Sequence, residues 1–483
     1  MTTRFEKVPV VDITKNNFQL LWPSICKAIS TSTFVAMDTE LSGIGTRKLL
    51  MAKSIEDRYN GMSDIAKTRS IVSFGISCFK LENARLSDEG SNSECKTHQG
   101  VTKWEYAVET FNLTALCSEE YVVEPNSLKF LLNHGFDFNR QYSSGIPYHR
   151  GNDRIPSNEE ESLTLRHLFT EIVCASKPVV FHNGLMDLIY LYQNFYANLP
   201  TQISTFLSDL TEVFSCGIFD TKYIADYVQM LPASYLEYVF SRSQRENCVK
   251  KNKGQSYVSV SFPHYEETAN IIDCCCPLPD EIDADLTLPR EAIDSMRQAV
   301  CESFAGHGWC ELGINCTLSH DMDLILDLDK LGQTKEVRKR KRRNKNKQQS
   351  LNSIKNGTQQ IDGEQISTEN METDFVSEST VVVEKTVNLP SKYLKSECDV
   401  HSAGCHRSGY DAFMTGFTLA VCLSQYGNYS GSYDMSNLGI EQFKNNISLS
   451  GKDMPLTVSK SSFSKTSKEH RDKMERIRQK NNI

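Results

Sequence analysis

The chain has 483 residues, a formal net charge of −8, 39% hydrophobic residues and 24% charged residues. This length suits one large domain with additions, or two to three domains. No apolar run reaches the ~20 residues of a membrane helix, and the start MTTRFEKVPVVDITK lacks the apolar core of a secretory signal. We therefore expect neither a secreted nor a membrane protein. The 16 cysteines should be thiols or metal ligands, and a nucleic-acid partner would need local basic patches.

Residues 1–245 have the pattern of a folded domain. Helical spacing occurs in three runs, FQLLWPSICKAI, ESLTLRHLFTEIVCAS and MDLIYLYQNFYANL. Strands are predicted for FVAM, SIVSFGISCF, WEYAVETFNL and KPVVFHN. The alternation of strands and helices predicts a mixed α/β sheet.

After residue 245 the sequence becomes more polar, and four further segments are predicted. A Cys/His cluster occupies 295–325, and a basic linker expected to be disordered occupies 330–386. A helix-forming segment, 387–435, is expected to return to the first domain, and a polar basic tail occupies 436–483. The first domain is therefore expected to be interrupted by an insertion.

Three segments place a carboxylate at the edge of a predicted element. In FVAMDTELSG, Asp38 and Glu40 lie two apart in a strand, so their side chains point to the same face. Asp187 opens a helix after the KPVVFHN strand, and Asp411 opens a helix in HRSGYDAFMTG. Each alone is compatible with a structural role, as a solvated strand end or as an acid at a helix N-terminus.

Together and in this order, the three segments resemble the DEDD exonuclease superfamily. His406, five residues before Asp411, matches the H-x4-D arrangement of its DEDDh branch. FLLNHGFDFNRQYSSGIPY and GIFDTKYIADY resemble segments of the poly(A)-specific ribonuclease (deadenylase) family. The resemblance implies an RNase H-like α/β exonuclease domain with a mixed sheet, split between its third and fourth acids by the insertion.

The resemblance also implies a catalytic site with two Mg²⁺ ions, since hard cations prefer carboxylate oxygens. By the family pattern Asp38 would contact both ions, Glu40 and Asp411 would share one, and Asp187 would hold the other. His406 would be the general base, because an imidazole titrates near neutral pH. Asp220, in FDTK, is interpreted as a structural or substrate-positioning acid.

The insertion contains four residues with metal-ligand spacing. Cys301, Cys310, Cys316 and His320 are spaced C-x8-C-x5-C-x3-H, which resembles the CCCH zinc-finger family. Three thiolates and one imidazole suit a single structural Zn²⁺. Phe304 and Trp309 are candidates for stacking on RNA bases, but the acidic DMDLILDLDK that follows opposes phosphate, so a structural or protein-binding finger is an equal alternative.

Two other Cys/His groups are interpreted without a metal. Cys274–Cys276 are consecutive, and three consecutive side chains cannot easily converge on one ion. Cys398, His401, Cys405 and His406 could form a second zinc site, but His406 fits the exonuclease pattern better. We therefore expect one zinc site.

The run VRKRKRRNKNK (337–347) has three interpretations: a nuclear localisation signal read by an import receptor, an RNA-contacting arm, or a solvated linker. We favour the import signal, because the charge is dense and the flanking sequence is poor in apolar residues. A zinc finger and a basic run inside a deadenylase domain resemble the nuclear CCCH-containing deadenylases.

The sequence thus predicts a nuclear 3′–5′ exoribonuclease acting on single-stranded RNA 3′ ends. Its substrates would be oligo(A) or short 3′ tails, including those of small nuclear RNAs, and its location the nucleoplasm, Cajal bodies and nuclear speckles. The preference for adenosine and the RNA class follow from the resemblance alone. The alternatives are a DNA exonuclease of the same superfamily and a non-catalytic RNA-binding scaffold.

Overall fold

The computed structural model describes residues 2–86, 101–154, 163–265, 270–276, 278, 282, 286, 288–332, 407–427 and 438–480. The chain forms two compact units. Unit 1 combines Met1–Ile282 with Glu397–Ile483, and unit 2 is Asp283–Ser396. Unit 2 thus lies, along the chain, between the two stretches that form unit 1.

Unit 1 is built on a mixed sheet. Its strands are β1 (Lys7–Ile13), β2 (Phe34–Leu41), β3 (Ile71–Leu86), β4 (Val101–Cys117), β5 (Ile146–Tyr148), β6 (Val179–Phe181), β7 (Ile218–Asp220), β8 (Tyr257–Ser261) and β9 (Ile271–Cys275). The order is β7-β6-β2-β3-β4-β1-β9, with β5 and β8 also paired to β4. β2, β3 and β4 are antiparallel neighbours, whereas β6 and β7 join in parallel. The predicted mixed α/β sheet is confirmed.

The helices surround this sheet. In unit 1 they are α1 (Phe18–Thr31), α2 (Arg47–Leu50), α3 (Ile55–Thr68), α4 (Pro125–Asn133), α5 (Phe138–Ser144), α6 (Leu165–Cys174), α7 (Leu185–Leu191), α8 (Ile203–Val213), α9 (Thr221–Tyr223), α10 (Leu236–Asn252), α14 (Ser408–Tyr426) and α15 (Lys468–Lys480). Unit 2 contains α11 (Arg290–Ala299), α12 (Glu302–His307) and α13, which covers 322–332. Single π turns, Tyr192–Tyr196 and Ile224–Val228, extend α7 and α9.

The alternation of side chains along β2 shows how the core is divided. Val35 and Met37 belong to a cluster that includes residues of α1, α3, α6, α7 and α8. Phe34 and Ala36 belong to a second cluster, which includes residues of α10 and α14. α14 is apolar on nearly all sides and buried along most of its length, as expected of a core helix. None of the helices in the described ranges is long and apolar enough to cross a membrane.

Unit 1 extends beyond the boundaries predicted at 245 and 435. α10 continues to Asn252, and β8 and β9 add two further strands to the sheet. Within the predicted polar tail, β10 (Asn446–Ile447) pairs with β11 (Leu456–Thr457), and Ile447, Leu449, Val458 and Ile477 join the first core cluster. These apolar residues are too widely spaced for a periodic signal, which explains why composition alone suggested only a polar basic tail.

A buried ion pair fixes α15. Lys473 is 7% exposed, and its ammonium lies 2.7 Å from both carboxylate oxygens of Asp153. Arg166 donates to the same carboxylate at 2.6 Å. These partners hold the pKa of Asp153 at about 2, against the effect of burial. Part of the positive charge of α15 is thus neutralised by the Asp153 carboxylate.

Several predicted features lie outside the described residues. They include the basic run 337–347, linker residues 333–386, His406, and the Cys398, His401 and Cys405 of the alternative zinc site. The beginning of the predicted linker, 330–332, belongs to α13. None of the cysteines that the structure describes forms a disulfide.

Candidate active site

β2 delivers the first two acids. Asp38 and Glu40 continue the face of β2 that carries Phe34 and Ala36, which is the face covered by α14. Phe34 and Ala36 on this face are buried, whereas Asp38 and Glu40 are half-buried, so both carboxylates emerge where the core on this face ends. The same-face argument from the sequence therefore holds, and it places both acids toward α14.

α14 delivers a third acid to the same place. Asp411 lies in its first turn and is 6% exposed. Carboxylate oxygens of Asp38, Glu40 and Asp411 all lie within 4.8 Å of one another. The structure therefore brings together three of the five residues predicted for the catalytic site.

A glycine in β3 allows α14 to come this close. A Cβ atom at Gly75 would lie 1.9 Å from the carbonyl oxygen of Ser408, which is far inside van der Waals contact. Gly75 pairs with Asp38 in the neighbouring strand, so the helix backbone rests on the sheet directly beside the acid. The absence of a side chain at position 75 thus sets the position of Asp411.

Asp187 reaches the site from the opposite face of the sheet. It lies in the first turn of α7, after β6, and its Oδ1 accepts a hydrogen bond from Thr39 Oγ1 at 2.6 Å. Thr39 stands between the two acids of β2 and therefore points to the other face. Asp187 lies beside the three-carboxylate group rather than in it, and its charge acts on Asp38.

Burial and mutual repulsion dominate the electrostatics. Burial, followed by the charges of Asp411, Asp187 and Glu40, raises the pKa of Asp38 well above its usual range. Burial likewise raises the pKa of Asp187 to about 6, although the Thr39 hydrogen bond opposes the rise. Divalent cations would compensate this excess of negative charge. An all-oxygen donor set fits Mg²⁺ or Mn²⁺, which would be held by Asp38, Glu40 and Asp411, with Asp187 alongside.

Asp220 has a different environment. Its carboxylate is buried and accepts hydrogen bonds from five backbone N–H groups. The donors are Asn183, Gly184, Lys222, Tyr223 and Ser448. Asp220 thus joins the turn before α7, the start of α9 and the C-terminal segment. This favours the structural interpretation of Asp220 over a metal-binding one.

A cavity of about 250 Å³ lies beside Glu40. Its lining combines polar side chains of β1, β3 and β4 with Arg140 of α5 and Arg407, the residue before α14. Asp12, Ser73, Asn112 and Thr114 complete the polar side of this lining. A cavity that contains both guanidinium and carboxylate groups can receive a ligand with hydroxyl and phosphate groups.

The sequence did not identify Thr39, Asp12 or Asn112 as functional. Thr39 could have been noticed as the polar residue between two acids, but its partner was unpredictable without the fold. Arg140 lies in the GFDFNR segment, one of the segments on which the family resemblance rests. That position could have marked Arg140 as a candidate functional residue. Asp12 and Asn112 are single polar residues in strands, and no spacing distinguishes them.

The predicted zinc ligands converge in unit 2. Ligand atoms of Cys301, Cys310, Cys316 and His320 all lie within 4.8 Å of one another. His320 Nε2 is buried and has no hydrogen-bond partner in the described part of the chain. A buried imidazole nitrogen with three thiols around it is the donor set of a Cys3His zinc site.

The two aromatic residues of this segment, Phe304 and Trp309, differ in whether their rings are free to contact RNA bases. The ring of Phe304 stacks on His320, with a centroid distance of 4.3 Å and an interplanar angle of 7°. Trp309 is 60% exposed. Of the two predicted stacking residues, Trp309 is thus the one that presents its ring to solvent. Cys274–Cys276 form no metal-ligand group among the described residues.

Comparison with known proteins assigns the chain to a family. The profile described as "CAF1 family ribonuclease" matches residues 13–164 and 152–419, which together include β2, α7 and the start of α14 with Asp411. The chain belongs to the CAF1 family of ribonucleases. This confirms the deadenylase-type resemblance that the sequence suggested.

Curated relatives agree with the CAF1 assignment at low identity. "Poly(A)-specific ribonuclease PARN" of Xenopus laevis is 23% identical over 279 residues, covering 53% of this chain and 39% of its own. "Pre-piRNA 3′-exonuclease trimmer" of Bombyx mori is 25% identical over 220 residues, covering 44% and 35%. The chain thus spans less than half the length of these relatives.

Solved CAF1-type domains are also similar. Pop2p of S. pombe, in its Mg²⁺- and Mn²⁺-bound form, matches with a TM-score of 0.35 and 19% identity, covering 49% of this chain and 82% of that one. The RNase domain of yeast Pop2 matches with a TM-score of 0.33 and 14% identity, covering 49% and 76%.

Proposed function

We propose that this CAF1 family protein is a nuclear 3′–5′ exoribonuclease that removes 3′ oligo(A) or short 3′ tails from RNA, small nuclear RNAs included. The observation that carries the proposal is the group of Asp38, Glu40 and Asp411, whose carboxylate oxygens lie within 4.8 Å of one another. The names of the relatives, a poly(A)-specific ribonuclease and a 3′-exonuclease, support this reaction and substrate class.

The reaction is hydrolysis of the last phosphodiester. The oxygen of a water molecule attacks phosphorus, and the bond from phosphorus to the 3′ oxygen of the preceding nucleotide breaks. The products are a nucleoside 5′-monophosphate and an RNA one nucleotide shorter, with a 3′ hydroxyl. Two divalent ions, when bound, would lower the pKa of the attacking water and stabilise the negative charge on the leaving oxygen.

The side chains of the chain have separate roles in this proposal. Asp38, Glu40 and Asp411 would hold the divalent ions. Thr39 fixes the orientation of the fourth acid, Asp187. His406 accepts the proton of the attacking water, a role assigned from its place in the H-x4-D pattern. The rigid, buried half of β2 keeps the first two carboxylates at a constant separation, which the reaction requires.

The insertion would determine where the protein is located in the cell and which RNAs it binds. We propose that the basic run at 337–347 is read by a nuclear import receptor, which would bring the enzyme to the nucleoplasm and Cajal bodies. The Cys3His group is proposed to hold one structural Zn²⁺, because its buried imidazole nitrogen needs a partner. Trp309, exposed on the same segment, is the residue we propose for a base-stacking contact.

The test is a nuclease assay on 5′-labelled RNA with a 3′ oligo(A) tail, with Mg²⁺ and with EDTA. We expect stepwise shortening from the 3′ end with Mg²⁺, none with EDTA, and none with Asp38→Ala. A matched DNA oligonucleotide should be shortened much more slowly. Asp64→Asn, which changes an exposed acid of α3, is the control and should remain active. Equal activity of Asp38→Ala and wild type would refute the assignment, whereas RNA binding without any shortening would favour a scaffold.

A further inference from the structure

Asn112 of β4 contacts the first turn of α14, the helix that carries Asp411. Its Oδ1 accepts from the backbone N–H of Gly409 at 3.2 Å and from the hydroxyl of Ser408 at 3.1 Å. Ser73 of β3 donates to the hydroxyl oxygen of Ser408 at 2.6 Å, and its own oxygen lies 3.3 Å from Asn112 Oδ1. One side-chain oxygen thus joins two strands to the start of the helix.

The other end of the Asn112 amide is also fixed. Its Nδ2 donates to Asp12 Oδ1 at 3.0 Å, and the second oxygen of Asp12 accepts from Arg140. Asp12 has no exposed surface, so its charge depends on Arg140 for compensation. Because an ionised carboxylate only accepts and the Gly409 N–H only donates, the amide of Asn112 has one permitted orientation.

This contact matters because the first turn of a helix has N–H groups without partners in the helix. Asn112 satisfies the one at Gly409, two residues before Asp411. Apolar packing along α14 and the close approach at Gly75 hold the helix against the sheet. The polar contact at the first turn selects one position of the helix, and with it the position of the Asp411 carboxylate.

We propose that Asn112, held in orientation by the Asp12–Arg140 pair, is the positioning residue that sets Asp411 against Asp38 and Glu40. The inference rests on the proposed hydrolysis, and it assigns these residues no contact with the reacting atoms. Arg140 and Asn112 also line the cavity beside Glu40, so a direct contact with substrate is the competing explanation. The two explanations differ in the kinetic constant that they affect.

The decisive experiment exchanges the two side chains. Asn112→Asp alone puts two carboxylates in contact, and Asp12→Asn alone removes the ion pair with Arg140. In the double variant Asp12→Asn/Asn112→Asp every donor again faces an acceptor, and the total charge is unchanged. We expect each single variant to lower kcat by about 10–100-fold, with KM nearly constant, and the double variant to recover most of the loss.

A second readout does not depend on RNA cleavage. Binding of Mn²⁺ should raise the melting temperature of the wild type, should raise it less in Asn112→Asp, and should regain its effect in the double variant. If the wild type binds Mn²⁺ but cleaves no RNA, the proposed function fails while the positioning of Asp411 is still measured. Thr110→Val, which removes the buried hydrogen bond from β4 to Ser77, is the matched control and should leave both readouts unchanged.

Ser408→Ala covers the case in which the charged variants fail to fold. It removes one donor to Asn112 without adding a charge, so kcat should fall in the same direction but by less. An altered KM with unchanged kcat in Asn112→Asp would overturn the proposal in favour of a substrate contact. A folded double variant that recovers neither kcat nor the Mn²⁺ effect would overturn it as well.

Discussion

Asp187→Asn should make the metal-free protein more stable while removing its activity. Burial raises the pKa of Asp187 from the usual 3.8 to about 6, so the folded state holds this charge at a cost. A rise of this size corresponds to roughly 3 kcal/mol. The figure is an upper bound, because the side chain is only half-buried. Asparagine keeps an oxygen for the Thr39 hydroxyl and carries no charge.

The pH dependence has a definite sign. The folded-state pKa of Asp187 lies above its unfolded value, so the folded state holds the proton to higher pH. The wild type therefore loses stability as pH rises from about 4 to about 6, and the loss is complete above that range. The difference between Asp187→Asn and wild type should be near zero below pH 4 and largest above pH 6.

The assay is urea unfolding in EDTA at several pH values, repeated with Mg²⁺. With Mg²⁺ the advantage of the variant should shrink or reverse, because only the intact site gains the full binding energy of the ion. Asp64→Asn is the control, since its carboxylate is 77% exposed and should change stability by less than about 0.5 kcal/mol. A variant that is less stable than wild type in EDTA at neutral pH would refute the reasoning.

Three further variants test neighbouring parts of the structure. Thr39→Val removes the hydrogen bond to the Asp187 carboxylate, and a hydrogen bond to a charged acceptor is worth about 1.5–3 kcal/mol. Activation of RNA cleavage should therefore need roughly 10-fold more Mg²⁺. Thr39→Ser keeps the hydroxyl and should behave as wild type. Gly75→Ala forces the backbone at Ser408 away by an ångström or more, so the rate of tail removal should fall about 100-fold at a stability cost of about 1–3 kcal/mol. Cys310→Ser should release zinc, measured by elemental analysis, and lower the thermal stability of the Cys3His segment.

For each of these variants, one outcome would contradict the prediction. An unchanged Mg²⁺ titration for Thr39→Val would mean that Asp187 is held by other contacts. Gly306→Ala, where an added Cβ meets nothing within 4 Å, is the control for Gly75→Ala, and equal effects of the two would remove the steric argument. Full zinc content in Cys310→Ser would show that this thiol is not a ligand.

Features with strong local periodicity could be predicted from the sequence. Asp38 and Glu40 were placed on one face because strand side chains alternate, and the alternation of apolar runs predicted the mixed sheet. Asp411 was placed at the start of a helix by the apolar stretch that follows it. The zinc ligands were predicted because their residue types and spacing are unusual.

Contacts between distant segments could not be predicted in this way. The Thr39–Asp187 bond joins β2 to α7 across 148 residues of chain, and Asn112 meets Ser408 across almost three hundred. The C-terminal segment was misjudged because its charges dominate its composition. Lys473 is in fact buried by its pairing with Asp153, a compensation that appears only once the chain is folded.

The place of the insertion follows from the way α14 is held. Unit 2, Asp283–Ser396, separates Asp411 from the other acids in the chain, yet lengthening a loop costs little, about 0.6 kcal/mol for each doubling. α14 buries most of its side chains, and a single buried Phe such as Phe413 or Phe417 contributes about 1.5–3 kcal/mol. Packing therefore outweighs the entropy of the long connection several times over. Gly75 and Asn112 then define the final position of the helix, so the insertion can vary in length and content without moving the acids.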